Sequence, residues 1–325
     1  MCIRDRGHTT AFLEDYKSFT NNPIKTADTQ NTWPNHHLYN SISLNDDLKK
    51  YHLERKTVAY LVFKNDSILF EKYYDGFNKS SKSNSFSMVK SIVSALMGIA
   101  IQERYIKSLD QKVIDFIPDL KGPFAHQVSI GDLSSMASGQ EWSEEYYNPF
   151  SVTSASYFVE NLNKLIMEQP ITSEPGKAFK YQSGTTQLLA MVIKKATGLS
   201  ISEYLSEKLW KPLGAEQPGY ITVDRFGAPR SAGGKCFTTR DLARVGMMIY
   251  QNGSGHSQQI VPESWIEDIF NNGNNSAWDL GDMAPDFPNK NVAYRSKWYS
   301  HKGSNPMIHG IGTVSYTHLT LPTKA

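Results

Sequence analysis

The sequence predicts an α+β protein, with an antiparallel sheet drawn from strands near both ends of the chain and a mostly helical lobe between them. Three observations carry this. Two β-rich runs, 57–63 and 67–74, are joined by the turn-prone Lys64-Asn65-Asp66 and read as a hairpin. The stretch 87–101 is apolar or small on every face and reads as a helix buried inside the protein. Helical patterns then run through 154–167, 185–196 and 201–209 before a strand pattern returns at 294–299.

The remaining segments fit around these elements. Residues 7–53 are polar and mixed, and Trp33-Pro34-Asn35 marks irregular chain. Residues 110–120 read as a short helix and loop, and 128–135 as the start of another helix. Thr238 is a plausible N-cap, with Asp241 in the first turn of a helix reaching Tyr250. Asp241 and Arg244, three apart, read as a surface ion pair. The segment 271–291 is rich in Asn, Gly, Asp and Pro and reads as loop.

Composition narrows the function. With 20% charged and 39% hydrophobic residues, the chain of 325 residues has the makeup of a soluble domain with a sizeable core. A formal net charge of +2, without a dense Lys/Arg run, gives no reason to expect a nucleic-acid partner. No apolar stretch reaches the roughly 18 residues of a membrane span. Cys2 and Cys236 offer neither a disulfide framework nor a Cys-rich metal site, and they leave the compartment unsettled. His36-His37 lies in irregular chain without a ligand set and reads as a solvated pair, so neither metal nor cofactor is expected. There is no Gly-x-Ser-x-Gly elbow, Walker A or His-Glu-x-x-His motif.

The chemistry starts at Ser87 and Lys90, the only Ser-x-x-Lys in the chain. A lysine held in an apolar helix lowers its pKa, and a hydroxyl one turn away is then an activated nucleophile. The plainer alternative makes Ser87 an N-cap and Lys90 a first-turn residue reaching solvent.

The order of hairpin, loop, Ser-x-x-Lys helix, helical stretch and returning strands resembles the serine β-lactamase and penicillin-binding-protein superfamily. Within it the chain is most similar to the class C β-lactamase-related hydrolases, including esterases, D-amino-peptidases and 6-aminohexanoate-dimer hydrolases. The likeness runs from about Thr57 to Gly312. Ser87-Met88-Val89-Lys90 resembles the first motif, and Ser129–Gly139 (129–139) the family's helix and loop ending in Ser-Gly. Tyr181-Gln182-Ser183, after Pro175-Gly176 and before an apolar helix, resembles the second motif, Tyr-x-Asn or Tyr-x-Ser. Glu144-Glu145-Tyr146-Tyr147-Asn148-Pro149 resembles an acidic-Tyr-x-Asp-Pro loop whose tyrosine contacts substrate, with Asn148 in place of Asp. The third motif departs most: His309-Gly310-Ile311 stands where penicillin-recognising enzymes have Lys-Thr-Gly.

The resemblance implies an α/β sandwich of the β-lactamase/transpeptidase kind, with a sheet lobe from 7–84 and 232–313 and a helical lobe from 85–231. It implies a serine hydrolase that forms an acyl-enzyme on a small ester or amide. Ser87, Lys90 and Tyr181 would be catalytic, and Tyr146, Ser183, His309, Ile311 and Gly312 would contact substrate. A neutral histidine in the third motif disfavours substrates that need a cation for their carboxylate. Two other readings stay open: a β-lactamase or D-peptidase proper, and a catalytically idle binding or sensor module on the same fold. Residues 1–6 and 314–325 look like non-native ends. Family members continue beyond this strand, so the printed chain is expected to be truncated at both ends and poorly soluble or inactive.

Overall fold

The N-terminal region holds more regular structure than its polar composition suggests. The computed structural model describes residues 13–146, 148, 150–283, 292–301, 307–312 and 317–322. Within the first of these ranges, strand β1 (Asn21–Ile24) precedes helix α1 (Asp46–Glu54), which Asn45 caps by accepting from the Leu48 N–H at 2.9 Å. The expected hairpin follows as β2 (Ala59–Lys64) and β3 (Ser67–Tyr73). Its turn residues Asn65 and Asp66 both have positive φ, 50° and 56°, a conformation that Asn and Asp tolerate in two-residue hairpins. Strand β4 (Lys82–Asn84) then leads to helix α2 (Val89–Gln102).

Helix α2 is the axis of the core. Every residue from Val89 to Ala100 is buried, so its lack of a polar face reflects burial on all sides. Gly98 allows one close approach: a Cβ there would lie 2.6 Å from the ring of Trp265. Helices α3 (Ile130–Ser134), α4 (Val152–Ser156), α5 (Leu162–Met167), α6 (Ser183–Thr197) and α7 (Ile201–Leu205) form the helical layer, with α6 packed against α2. The single helical pattern expected over 154–167 is broken into α4 and α5, and a π-helical turn, Ser206–Trp210, extends α7.

Strands β5 (Gly219–Thr222) and β6 (Lys235–Thr238) join β1 and β4 in one antiparallel sheet ordered β1-β5-β6-β4. Helix α8 (Thr239–Tyr250) follows, then the short pair β7 (Ser254–Gly255) and β8 (Gln258–Gln259), helix α9 (Glu263–Asn271) and helix α10 (Asn275–Asp279). The second antiparallel sheet, ordered β12-β11-β10-β9, comprises β9 (Val292–Arg295), β10 (Trp298–His301), β11 (Met307–Gly312) and β12 (Thr317–Pro322). All paired strands described are antiparallel, divided between these two sheets and two hairpins.

Two expectations are corrected here. The strand pattern at 294–299 is a hairpin turn instead: β9 and β10 are joined by Ser296 and Lys297, with φ of 48° and 66°. Asp241 and Arg244 are not a surface pair; they are 1% and 7% exposed. The Asp241 carboxylate accepts from the Glu216 N–H at 2.7 Å, the Gln217 N–H at 3.1 Å, Thr238 Oγ1 at 2.8 Å and Arg244 Nε at 3.3 Å. Four donors offset the cost of burying the charge, and Arg244 lies over the Trp33 ring, 4.8 Å from its centroid.

Gly98→Ala should destabilise the protein by about 1–2 kcal/mol. Alanine gains about 1 kcal/mol in helix propensity, but overpacking against Trp265 costs more. A lowered midpoint in urea checks this; a raised one contradicts the packing argument.

Candidate active site

Ser87 occupies the middle of a single 3-10 turn, Phe86–Met88, that runs directly into α2. The residue before it, Phe86, is buried with φ of 44°, a left-handed conformation that costs a bulky residue roughly 1–3 kcal/mol. Neighbouring bonds enforce it. The Ser85 N–H and Oγ both donate to the Lys235 carbonyl at 2.9 Å, and the Phe86 N–H donates to Asn84 Oδ1 at 3.0 Å. One turn later Lys90 is 1% exposed, so its alternative as a residue reaching solvent does not hold. Its Nζ donates to Ser87 Oγ at 2.7 Å and to the Ala232 carbonyl at 2.7 Å. Burial lowers its pKa to about 8, with the nearby Glu144 carboxylate pulling the other way.

The second motif is anchored by a residue outside it. Gln182, the N-cap of α6, gives no side-chain cap. Glu144 does that work from a separate loop, accepting from the Ser183 N–H at 2.9 Å and from Ser183 Oγ at 2.5 Å. The same carboxylate accepts from Trp142 Nε1 and from the Tyr146 hydroxyl, each at 2.6 Å. Gly184 admits this loop, since a Cβ there would lie 2.5 Å from the Trp142 ring. The hydroxyl of Ser183 is therefore committed to Glu144, and Tyr146, 37% exposed, gives its hydroxyl to the same carboxylate. Tyr147 and Pro149 of this loop lie outside the described residues.

Tyr181 reaches the site through its ring. Lys90 Nζ lies over that ring, 5.2 Å from its centroid. Tyr181 packs on an aromatic cluster containing Phe179, Trp278, Tyr294 and Tyr299. Burial raises its pKa well above 10, reinforced by Tyr299, Tyr294, Tyr146 and Glu144, so the phenol keeps its proton at neutral pH.

Strand β11 closes the other side. Gly310 lets it press on the start of α2: a Cβ there would lie 2.9 Å from Ser91 Oγ and 3.4 Å from Met88 Cγ. His309 is 8% exposed and stacks on Tyr299 at 5.3 Å and on His301 at 4.8 Å. Ile311 packs against the same aromatic cluster as Tyr181, and Gly312 ends the strand.

This arrangement sits within a sequence match to the Beta-lactamase family model over residues 45–317. The chain belongs to the Beta-lactamase family. It is 28% identical over 276 residues to the 6-aminohexanoate-dimer hydrolase of Paenarthrobacter ureafaciens, covering 82% of this chain and 70% of that relative. Protein flp of Staphylococcus aureus (strain COL) is 26% identical over 179 residues, 51% of this chain and 35% of flp. Among solved structures, one from Bacillus anthracis, provisionally named a 6-aminohexanoate-dimer hydrolase, superposes with a TM-score of 0.81 at 21% identity, covering 96% of this chain and 87% of that one. A D-stereospecific amidohydrolase from Streptomyces sp. superposes with a TM-score of 0.57 at 16% identity, over 75% of this chain and 79% of that one. The protein is thus a β-lactamase-family hydrolase, similar in sequence to a 6-aminohexanoate-dimer hydrolase, with a β-lactamase/transpeptidase-like fold.

Around these residues, three groups were not legible in the sequence. Glu144 lay inside a quoted motif, but nothing in the motif ties it to Ser183. Lys235 is fully buried, its Nζ donating to the Ser231 carbonyl at 3.1 Å, and burial together with Lys90 lowers its pKa to about 7. Lys297 is 2% exposed, donating to the Leu133 carbonyl at 2.6 Å and to Thr185 Oγ1 at 3.1 Å; burial first, then Lys90, holds it well below the usual lysine range. Among the described residues, no three His, Cys, Asp or Glu side chains converge to hold a metal, and no helix is long and apolar enough to cross a membrane.

The buried amines make stability depend on pH. A lysine whose folded pKa lies below its unfolded value binds fewer protons when folded, so stability rises with pH across that gap. The gap runs from about 7 to 10.5 for Lys235 and from about 8 to 10.5 for Lys90. The urea midpoint should rise between about pH 7 and about pH 9.5, and Lys235→Met should flatten the rise. An unchanged slope in that variant contradicts the assignment.

Proposed function

We propose that the protein is a serine hydrolase that cleaves a carboxylic ester or amide through an acyl-enzyme on Ser87. The observation that carries this is the 2.7 Å bond between Ser87 Oγ and a fully buried Lys90 amine. Neutral Lys90 takes the hydroxyl proton as Oγ attacks the substrate carbonyl. The tetrahedral oxyanion is held by the backbone N–H of Ser87 and by one on β11, that of Ile311 or Gly312. Tyr181, kept neutral by burial, serves as a proton relay to the leaving group and not as a phenolate base. Water then attacks the acyl carbonyl and releases the acid, returning the proton to Ser87.

Tyr146, beside the cleft with an exposed ring, and His309 and Gly312 on β11 line the substrate path. Ser183 supports the site through Glu144. The names of the Paenarthrobacter and Streptomyces relatives favour amide substrates. A β-lactamase or D-peptidase is the second reading. It is disfavoured by the third motif, where His309 stands in place of a lysine.

A fluorophosphonate probe should label Ser87, as located by mass spectrometry, and Ser87→Ala should abolish the label. Absence of label on the wild-type chain would sink the proposal and favour an idle module, whereas nitrocefin turnover would favour the β-lactamase reading. Because the base must be neutral, kcat/KM for an ester should fall as pH drops through about 8. Tyr181→Phe should lower kcat by about 10²-fold or more; wild-type kcat in that variant removes the relay from the mechanism.

A further inference from the structure

The tip of the β9–β10 hairpin is buried where a hairpin tip is ordinarily solvated. Ser296 is fully buried and Lys297 is 2% exposed. Neither is glycine, yet both hold positive φ, a strained choice for serine and lysine. The bonds they make explain the choice. The Lys297 carbonyl accepts from Ser91 Oγ of α2 at 2.7 Å, directly beside Lys90. The Lys297 N–H donates to the Ser134 carbonyl at 3.1 Å, and Ser296 Oγ meets Ser134 Oγ at 3.2 Å. The Lys297 amine reaches past these to the Leu133 carbonyl of α3 and to Thr185 Oγ1 of α6. Thr185 in turn donates to the Gln182 carbonyl at 2.8 Å, one residue from Tyr181. A single residue is thus bonded both to the helix that carries Lys90 and follows Ser87 and to the helix that follows Tyr181.

We propose that Lys297 is a positioning residue for the Ser87 reaction, fixing the spacing between the Ser87–Lys90 pair at the start of α2 and Tyr181 ahead of α6. It touches none of the reacting atoms and acts through Ser91 and Thr185. The proposal rests on the hydrolase reading above. Displacement of a relay by about 1 Å is enough to cost about 10²-fold in rate, so a strut at this junction governs kcat while leaving substrate binding alone.

The test compares the wild-type chain with Lys297→Met, Thr185→Val and Thr185→Ser, measuring ester turnover, the rate of fluorophosphonate labelling at Ser87 and the thermal midpoint. Lys297→Met should lower kcat about tenfold or more with KM within about twofold, the signature of an interaction that matters in the transition state. Thr185→Val should lose several-fold in kcat, and Thr185→Ser, which keeps the hydroxyl, should stay near wild type. A folded Lys297→Met with wild-type kcat overturns the proposal, as does a rise in KM at constant kcat. If Lys297→Met does not fold, the Thr185 pair decides: equal kcat in the valine and serine variants overturns it. A wild-type chain that neither labels nor turns over ester overturns the hydrolase reading itself, and this proposal with it. Labelling in the wild type with unaltered rates in the variants overturns this proposal alone.

Discussion

An amine inside an apolar helix, bonded to a hydroxyl and a carbonyl, governs the rest of this structure. Water is excluded from Lys90 on all sides, and neither hydrogen-bond partner carries a countercharge. A buried ammonium without a bonded counterion costs several kcal/mol, so the group responds by giving up its proton more readily. The wholly apolar α2 follows from the same need, because a polar stripe on that helix would re-solvate the amine. The short turn ahead of α2 is held in a left-handed conformation at Phe86, and the bonds that hold it run to the Lys235 carbonyl. Ser87, Lys90 and the strand that supports them are therefore parts of one unit.

Charge balance follows from the same burial. Three lysine amines lie inside the protein near Ser87, and the carboxylate that acts on two of them is Glu144. Burial lowers all three, Lys235 to about 7, Lys90 to about 8 and Lys297 well below the usual lysine range. A second protonated lysine beside the first would meet like-charge repulsion at low dielectric. Glu144 also joins the loop that bears Tyr146 to the start of α6. Its four bonded donors hold the carboxylate in one place.

The parts legible in the sequence were those fixed by local pattern. The apolar run of α2, the Asn-Asp hairpin turn and the spacing of Ser87 and Lys90 depend on residues a few positions apart, and all appear as read. The Beta-lactamase family match over residues 45–317 bears out the resemblance built on them. What escaped depends on contacts between distant segments. Asp241 and Arg244 have the spacing of a surface pair, and only the backbone of Glu216 and Gln217 and the Trp33 ring make them buried. Lys297 lay inside an apparent six-residue strand, because its turn uses serine and lysine where Asn-Gly would have announced a hairpin. Glu144 stands 39 residues from Ser183, beyond any local periodicity.

Strain links these cases. Phe86 on one side of α2 and Ser296-Lys297 on the other occupy conformations their side chains disfavour, at a cost of order 1–3 kcal/mol each. Glycine would remove the cost at either place. At Phe86, however, glycine would also free the backbone that aims Ser87 and surrender an aromatic ring that is 6% exposed. At Lys297 it would relieve the turn but delete the amine that spans α3 and α6. In both places the bonds around the strained residue over-determine its conformation, which is the condition under which strain persists in a folded chain. The backbone at Phe86 and at Ser296-Lys297 is thus held by tertiary bonds against its own preference.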